Sequence, residues 1–288
     1  MKRWIEVNAW TLGLAALLAA LLLITKLIQP GFGASGLDSL ARAALPFALA
    51  TVGMAVVVLA GGIDLSIAAM MAVASVTAAV LMNGATDAQS IPIVIGILAL
   101  GLLMGAINGT LITVTKVPDI VVTLAMLFVW QGAALLILNA PGGGIAPWLR
   151  SLITGNIGPD WLPRAVVFLA VVTALIWLPI RRSKLGLQLY AIGSDPLAAF
   201  RSGVPVGQTR IIAYALCGLF AALGGLSVSM STGIGEPIPG PYLLASVAAV
   251  VLGGVVLGGG RGGLLGPVLA GFNQRDVRMD HTLLSVDP

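Results

Sequence analysis

The chain has 288 residues, of which 58% are hydrophobic and only 9% are charged, and its mean hydropathy is +1.05. A water-soluble domain of this length must cover its core with polar surface, so this composition excludes a soluble globular protein and indicates a polytopic membrane protein. The net charge of +4 does not indicate a nucleic-acid partner, because the cytoplasmic loops of membrane proteins are enriched in lysine and arginine.

Eight continuous apolar segments follow one another along the chain, each close to the length of a membrane-spanning helix. Strands of a membrane barrel alternate in hydropathy over about 10 residues, so helices are predicted instead. With the N-terminus in the cytoplasm, the alternating loops place nine lysines and arginines inside and four at the outer side, which supports this orientation. The predicted fold is therefore an all-α polytopic bundle. The segments are 10–28, 43–60, 63–82, 91–114, 117–138, 165–180, 210–231 and 241–258.

Five polar side chains within or between these segments are candidates for a translocation path: Asp64, Ser66, Asn108, Thr123 and Gln131. Ionisable residues at membrane depth are functional candidates, which favours Asp64, where two glycines break the helix. The alternative is that Asp64 lies at the membrane boundary and caps the next helix together with Ser66. Asn108 and Thr123 either line the path or hydrogen-bond to neighbouring helices. Asp119 follows Lys116 by three residues, which predicts an ion pair at the cytoplasmic edge.

The two long connections differ in character. Residues 139–164 are rich in glycine, proline and tryptophan, and we expect an external loop or a re-entrant segment. Residues 181–209 are expected to lie in the cytoplasm and to contain a short helix. Asp195 is placed to cap this helix, and Pro196 suits its first position. Gly203 suits a left-handed stop about two turns later.

The short helix carries Leu197 and Phe200 on one face, while Arg201 points elsewhere. Two turns of helix are not stable in isolation, so another structure must hold them. The local sequence leaves three possibilities open, namely the membrane surface, the protein's own loops, or a groove on a soluble partner.

Four stretches of the sequence resemble ribose-type ABC transporter permeases, in the order in which that family has them. They are LAGGIDLSIAAMMAVAS (59–75), INGTLITVTKVPDIVVTLAMLFVWQG (107–132), GLQLYAIGSDPLAAFRSGVPV (186–206) and AAVVLGGVVLGGGRGGLLGPVLAG (248–271). As a set they cover most of residues 45–271. The resemblance implies a permease bundle like that of the type II ABC importers, in a family whose members usually have more helices than the eight predicted here.

In that family, the loop that matches 186–206 is the coupling helix that docks into the ATPase subunit. The resemblance implies the same role here for Gly193, Asp195, Leu197, Ala198, Phe200, Arg201 and Gly203. It also implies three protein partners at the bacterial inner membrane: an ABC ATPase subunit, a periplasmic solute-binding protein, and a second permease subunit that is identical or related. The implied solute is a sugar or a similar small polar molecule.

The sequence contains no G-x-x-x-x-G-K-[ST] motif, so we expect ATP to be bound by another polypeptide and this chain to hold no cofactor. The GGGRGG run at 258–263 matches G-x-G-x-x-G formally, but no βαβ unit surrounds it, and its glycines suit a turn or a close helix approach. No nucleophile–base pair or cluster of metal ligands accompanies His281. We therefore predict a transport subunit and not an enzyme.

We predict one transmembrane permease domain at 1–271, with the coupling loop at 181–209, and a polar C-terminal tail at 272–288. The tail departs from the family, which continues with apolar segments, because its charged and amide side chains oppose a further span. Two alternatives to the ABC permease stay open. One is an ion-coupled secondary transporter or channel, with Asp64 as the candidate coupling residue. The other is a truncated permease that does not transport.

Overall fold

The computed structural model describes residues 2–238 and 240–285, and these two ranges consist of helices with short connections. Each of the eight predicted segments lies in a separate helix, which confirms the all-α polytopic fold. The helices in chain order are α1 Lys2–Ile28, α2 Ala34–Leu59, α3 Ile67–Met82, α4 Asp87–Thr115, α5 Asp119–Ile137, α6 Pro147–Ile153, α7 Arg164–Arg182, α8 Lys184–Ser194, α9 Pro196–Arg201, α10 Val206–Thr232, α11 Tyr242–Leu252 and α12 Leu265–Ser285.

Six helices in the described ranges are long and apolar enough to cross a membrane, namely α1, α2, α4, α5, α7 and α10. The apolar helices α3 and α11 are shorter. Protein rather than lipid surrounds α3, which packs against α10, α5, α4, α2 and α11. The segment predicted as helical over 241–258 ends at Leu252, because a glycine-rich turn at 253–264 follows, with four glycines at positive φ.

The centre of the bundle is α10, which packs against α4, α2 and α3. Its closest neighbour is α4, on which Gly101, Gly105 and Gly109 occur at every fourth residue. A Cβ on Gly109 would lie 2.8 Å from the Cα of Ile211, so the two backbones are in direct contact. Small residues at this spacing allow transmembrane helices to pack closely in lipid, where hydrophobic attraction between helices is weak.

The two ends of the bundle are covered by different segments. At one end, called the α9 end below, the last turn of α8 contacts the turn 60–66 that joins α2 to α3, and α9 follows α8 directly. At the opposite end, the loop after α5 meets the segment after α10 through a bridge between Gly142 and Gly235. The indole of Trp148 on α6 donates to Ser90 Oγ at 2.7 Å, so α6 also covers that end. The loop 139–164 is therefore folded onto the bundle.

The last helix, α12, continues through the boundary expected at residue 271. Asn273 Nδ2 donates to the carbonyl of Leu14 at 3.1 Å, and Asp276 accepts from Thr25 Oγ1 at 3.3 Å. Partners on α1 thus supply hydrogen bonds that a lipid-exposed span would lack. Residues 272–285 continue this helix, and the division into a permease domain and a polar tail at 272–288 stays a prediction. Residues 286–288 and the side chain of His281 lie outside what the structure describes.

Candidate functional site

The short helix predicted after Asp195 is present as α9. Asp195 Oδ1 accepts hydrogen bonds from the amide of Leu197 at 2.9 Å and from the amide of Ala198 at 3.0 Å, so it caps the helix as predicted. Pro196 occupies the first position, where its missing N–H is no loss. Gly203 follows with a φ of +82°, the left-handed conformation expected of the stop.

One face of α9 is packed against the protein and the other is not. Ala199 is buried, and its carbonyl accepts from the amide of Val204 at 3.0 Å. By contrast, Leu197 is 58% exposed and Phe200 is 68% exposed. The protein's own elements therefore contact the Ala199 side of α9, while the membrane surface and a groove on a soluble partner stay open for its other side. The apolar pair is left at the surface.

The preceding helix, α8, fixes the start of α9, because Asp195 both ends α8 and begins α9. The phenol of Tyr190 donates to the carbonyl of Gly262 at 3.0 Å, and burial raises the pKa of this phenol. Gly193 is buried, so it does not lie on an outer surface. The other candidate coupling residues are exposed: Asp195, Leu197, Ala198, Phe200, Arg201 and Gly203.

The side chains of Asp64, Ser66 and Asn108 are fully buried and form a polar cluster that holds the turn 60–66. Asp64 Oδ1 accepts from the amide of Ser66 at 2.9 Å and from its hydroxyl at 2.7 Å. Asn108 Nδ2 on α4 donates to Ser66 Oγ at 2.7 Å and to Asp64 Oδ2 at 3.4 Å. Asn108 Oδ1 accepts from the indole of Trp130 on α5 at 3.2 Å. Each of these buried polar groups thus has the hydrogen-bond partner that it needs. The bonds join the turn to Asn108 on α4, and through Asn108 to Trp130 on α5.

A second carboxylate, Asp119 at the start of α5, holds the same turn. Its Oδ2 accepts from the amide of Ile63 at 2.7 Å and from the phenol of Tyr214 at 3.3 Å. The hydroxyl of Thr123 donates to the carbonyl of Asp119 at 2.8 Å and approaches the carbonyl of Ile63 at 3.4 Å. The ion pair expected between Asp119 and Lys116 is not formed among the described residues, since this carboxylate bonds to the turn and to α10 instead.

Gln131 lies apart from the other candidate path residues. Its Nε2 donates to the carbonyl of Pro237 at 2.8 Å and so anchors the segment after α10 to α5. The remaining four candidates surround the turn 60–66 at the α9 end and have no exposed surface. Trp130 and Tyr214 belong to the same site, and sequence reasoning missed them. The available signal was that a buried indole or phenol in an apolar run needs a hydrogen-bond partner.

The family model described as "Branched-chain amino acid transport system / permease component" matches residues 36–273, a range that contains α9 and the buried cluster. The chain belongs to this family. The permease resemblance drawn from the four sequence stretches is thereby confirmed. The permease is a multi-pass membrane protein, as its apolar helices also indicate.

Three curated relatives illustrate what the permease is similar to. It is 30% identical over 269 residues to the ribose import permease protein RbsC of Escherichia coli strain K12, with 91% of this chain and 83% of the relative covered. It is 35% identical over 278 residues to the galactofuranose transporter permease protein YtfT of the same strain, with 89% and 78% covered. It is 29% identical over 291 residues to the autoinducer 2 import system permease protein LsrD of Escherichia coli O9:H4 strain HS, with 94% and 84% covered. No solved structure matches the chain significantly.

Proposed function

We propose that this permease is the membrane-spanning subunit of a bacterial ABC importer that moves a sugar or a similar small polar solute across the inner membrane. Its relatives include permeases named for ribose, galactofuranose and autoinducer 2. The observation that carries the proposal is the exposure of Leu197 and Phe200 on a helix that the protein otherwise holds firmly. Exposed apolar side chains in such a position mark a surface that binds a partner.

The apolar pair on α9 suits a groove on a soluble ATPase subunit. Leu197 and Phe200 are three residues apart on one helical face, which is the spacing of anchors in helix-in-groove recognition. Burial of one such side chain contributes about 1.5–3 kcal/mol. The pair therefore contributes about 3–6 kcal/mol before the costs of association are subtracted. Arg201, which is also exposed, is available to an acidic side chain of the same subunit.

ATP acts on a separate polypeptide in this proposal, because the sequence carries no P-loop motif. ATP binding draws two ATPase domains together, and α9 moves with the domain that covers it. The permease then changes the side of the membrane to which its path opens, and ATP hydrolysis resets the cycle. The chain itself supplies no catalytic group and holds no cofactor in this mechanism.

The translocation path is assigned to the surroundings of the turn 60–66 and to the opposite end of α5. The residues assigned to it are Asp64, Ser66, Asn108, Thr123 and Gln131. The first four are fully buried in the present conformation, so they contact solute only after α3, α4 and α5 move apart. Until then, their hydrogen bonds keep the turn in one shape.

The α9 end faces the cytoplasm in this proposal, and the N-terminus lies on the same side. Trp10 Nε1 on α1 donates to the carbonyl of Leu252 at 2.6 Å, next to the turn 253–264 that contacts α8. Basic residues cluster near this end, as the positive-inside rule expects: Lys116, Arg181, Arg182, Lys184 and Arg201. A periplasmic solute-binding protein meets the opposite end, and a second permease subunit completes the pore.

Co-purification of the tagged full chain from its host tests the docking of the ATPase. Leu197→Glu and Phe200→Glu each place a carboxylate where the groove must exclude water. We expect the amount of ATPase retained to fall by about tenfold or more, which corresponds to a loss of about 1.4 kcal/mol or more. Phe200→Leu keeps an apolar anchor and should retain the ATPase, as should Ile157→Glu at the opposite end. ATPase that follows the charge variants as well as the wild type refutes the docking role of α9.

Solute uptake into membrane vesicles separates the importer from the two alternatives. Uptake that requires ATP and the ATPase subunit supports the importer. Uptake driven by an ion gradient without ATP replaces it with a secondary transporter or channel, for which buried Asp64 is the candidate coupling residue. No uptake under either condition, with the ATPase still bound, identifies a permease that does not transport.

A further inference from the structure

Three backbone segments meet just before α9 begins, namely the end of α2, the last turn of α8 and the turn 253–264. We name this contact the glycine junction, and its members are Gly61, Gly193, Gly259 and Gly260. The amide of Gly260 donates to the carbonyl of Leu59 at 2.9 Å. A Cβ on Gly259 would lie 2.8 Å from the Cα atoms of both Gly61 and Gly193. The three segments therefore touch through their backbones at Gly61, Gly193 and Gly259, while Gly260 also contacts the side chain of Ser194.

Gly193 is the member of the junction that belongs to α8. A Cβ on Gly193 would overlap with the carbonyl oxygen of Leu59 and the amide nitrogen of Gly260. Both are backbone atoms, so they cannot turn aside as the end of a flexible side chain can. Gly193 lies within a helix, where alanine is intrinsically favoured over glycine. Glycine is thus required at this position by space and not by backbone conformation.

A hydrogen bond one turn earlier fixes α8 to the same partner. The phenol of Tyr190 donates to the carbonyl of Gly262 at 3.0 Å, and Gly193 contacts Gly260 of the same turn. Residues three apart lie on one face of a helix. The end of α8 and the turn 253–264 are therefore joined at two successive levels and are expected to move together.

The glycine junction connects α9 to two parts of the bundle. Asp195 is both the last cap of α8 and the first cap of α9, so no flexible residue separates α9 from Gly193. From the junction, the end of α2 leads into the turn 60–66, which the buried polar cluster holds against α4 and α5. The turn 253–264 leads into α12, where Gly253 contacts the backbone of Pro267.

We propose that the glycine junction carries the movement of α9 into the helix bundle, with Gly193 as the positioning residue between α9 and the two segments that it touches. This inference rests on the proposed function, because it requires an ATPase that moves α9. When the ATPase domains close, α9, the end of α2 and the turn 253–264 move as one body. Close-packed backbone transmits such a displacement directly, because the contacts of Gly61, Gly193 and Gly259 join backbone to backbone and no change of rotamer can relieve them.

Gly193→Ala in the complete transporter tests this role. The permease, its ATPase and its solute-binding protein are reconstituted in liposomes, and three quantities are measured: ATPase retained per permease, the rate of ATP hydrolysis, and solute uptake per ATP hydrolysed. We expect the ATPase to be retained and hydrolysis to continue, while uptake per ATP falls by about fivefold or more, the lower end of typical coupling effects. Gly263→Ala is the matched control, because its Cβ would meet nothing within 4 Å, and it should leave all three quantities unchanged.

Tyr190→Phe tests the role of the glycine junction if Gly193→Ala does not yield a folded complex. This variant keeps the ring and removes only the bond to Gly262, and we expect uptake per ATP to fall by about twofold or more. Wild-type uptake per ATP in Gly193→Ala, or in Tyr190→Phe if the first variant does not assemble, overturns the glycine junction and leaves the docking of the ATPase intact. Failure of any ATPase to bind the wild-type permease overturns the proposed function, and the junction with it.

Discussion

Replacement of Asn108 is expected to lower the stability of the protein, because its side chain is at the centre of the buried polar cluster. Asn108→Ala removes the donor to Ser66 and Asp64 and the acceptor for Trp130. An unpaired buried polar group costs about 1–3 kcal/mol, whereas a hydrogen bond between transmembrane helices contributes about 0.6 kcal/mol on average. For the contacts of Asn108 together we expect a loss of about 2–4 kcal/mol in the free energy of unfolding.

A melting curve read through the chain's one cysteine measures this loss. Cys217 is fully buried in α10, so a fluorogenic thiol-reactive dye labels the protein only as the bundle unfolds. For a chain of this size, 1 kcal/mol corresponds to about 2–4 °C in Tm. The expected decrease in the Tm of the purified protein in detergent is therefore roughly 4–16 °C.

Thr110→Ala is the matched control, because Thr110 lies on the same helix, two residues further on, and is exposed. Exposed substitutions usually change stability by less than about 0.5 kcal/mol, so this variant should melt close to the wild type. If Asn108→Ala and Thr110→Ala have the same Tm, the cluster contributes nothing measurable to stability. The argument that it holds the turn 60–66 would then be wrong.

Two further outcomes are expected, one at α9 and one at the contact of α4 with α10. Asp195→Ala removes the acceptor of two amides, and loss of a cap of about 1 kcal/mol should weaken ATPase binding about fivefold in a co-purification titration. Asp195→Asn should retain binding, and equal weakening by both variants would contradict the capping role. Gly105→Ala places a Cβ on the backbone of α10 and should reduce the yield of monodisperse protein in size-exclusion chromatography. Gly96→Ala, whose Cβ would meet nothing within 4 Å, should not reduce this yield. Equal yields of Gly105→Ala and Gly96→Ala would refute the close approach of the two helices.

The apolar spans and α9 could be predicted from the sequence because their determinants are local. A membrane-length apolar run is visible without knowledge of its neighbours. The cap at Asp195, the proline after it and the stop at Gly203 all fall within nine consecutive residues, and each acts on the backbone next to it. The exposure of Leu197 and Phe200 also depends on this short stretch, because Ala199 lies on the side of α9 that packs against the protein.

The polar interior could not be predicted, because its hydrogen bonds join residues that are far apart in sequence. Asp119 was expected to pair with Lys116 on a spacing of three. Lys116 is the cap that follows α4, with a φ of +57°, so the two residues do not share a helix and the spacing rule does not apply. The partners of the Asp119 carboxylate are Ile63 and Tyr214, which are 56 and 95 residues away.

Long-range pairing also explains why a polar tail was expected at 272–288. Asn273 and Asp276 oppose a membrane span when they are considered alone. Their partners, Leu14 and Thr25, lie on the first helix, 259 and 251 residues earlier in the chain. Only the folded arrangement brings α1 beside α12. The role of the candidate path residues stays a prediction, although the structure brings four of the five together.

The enclosure of α3 has a consequence for the biosynthesis of the protein. A helix of 16 residues extends about 24 Å, less than the hydrocarbon core of about 30 Å. It leaves the ribosome before α5 and α10, the two helices with which it later packs most extensively. Until α10 is inserted, the face of α3 that packs against α10 has no protein partner in the membrane. Insertion of α10 is then the step that covers this face of α3, and a nascent chain stalled before Val206 leaves it open to the lipid.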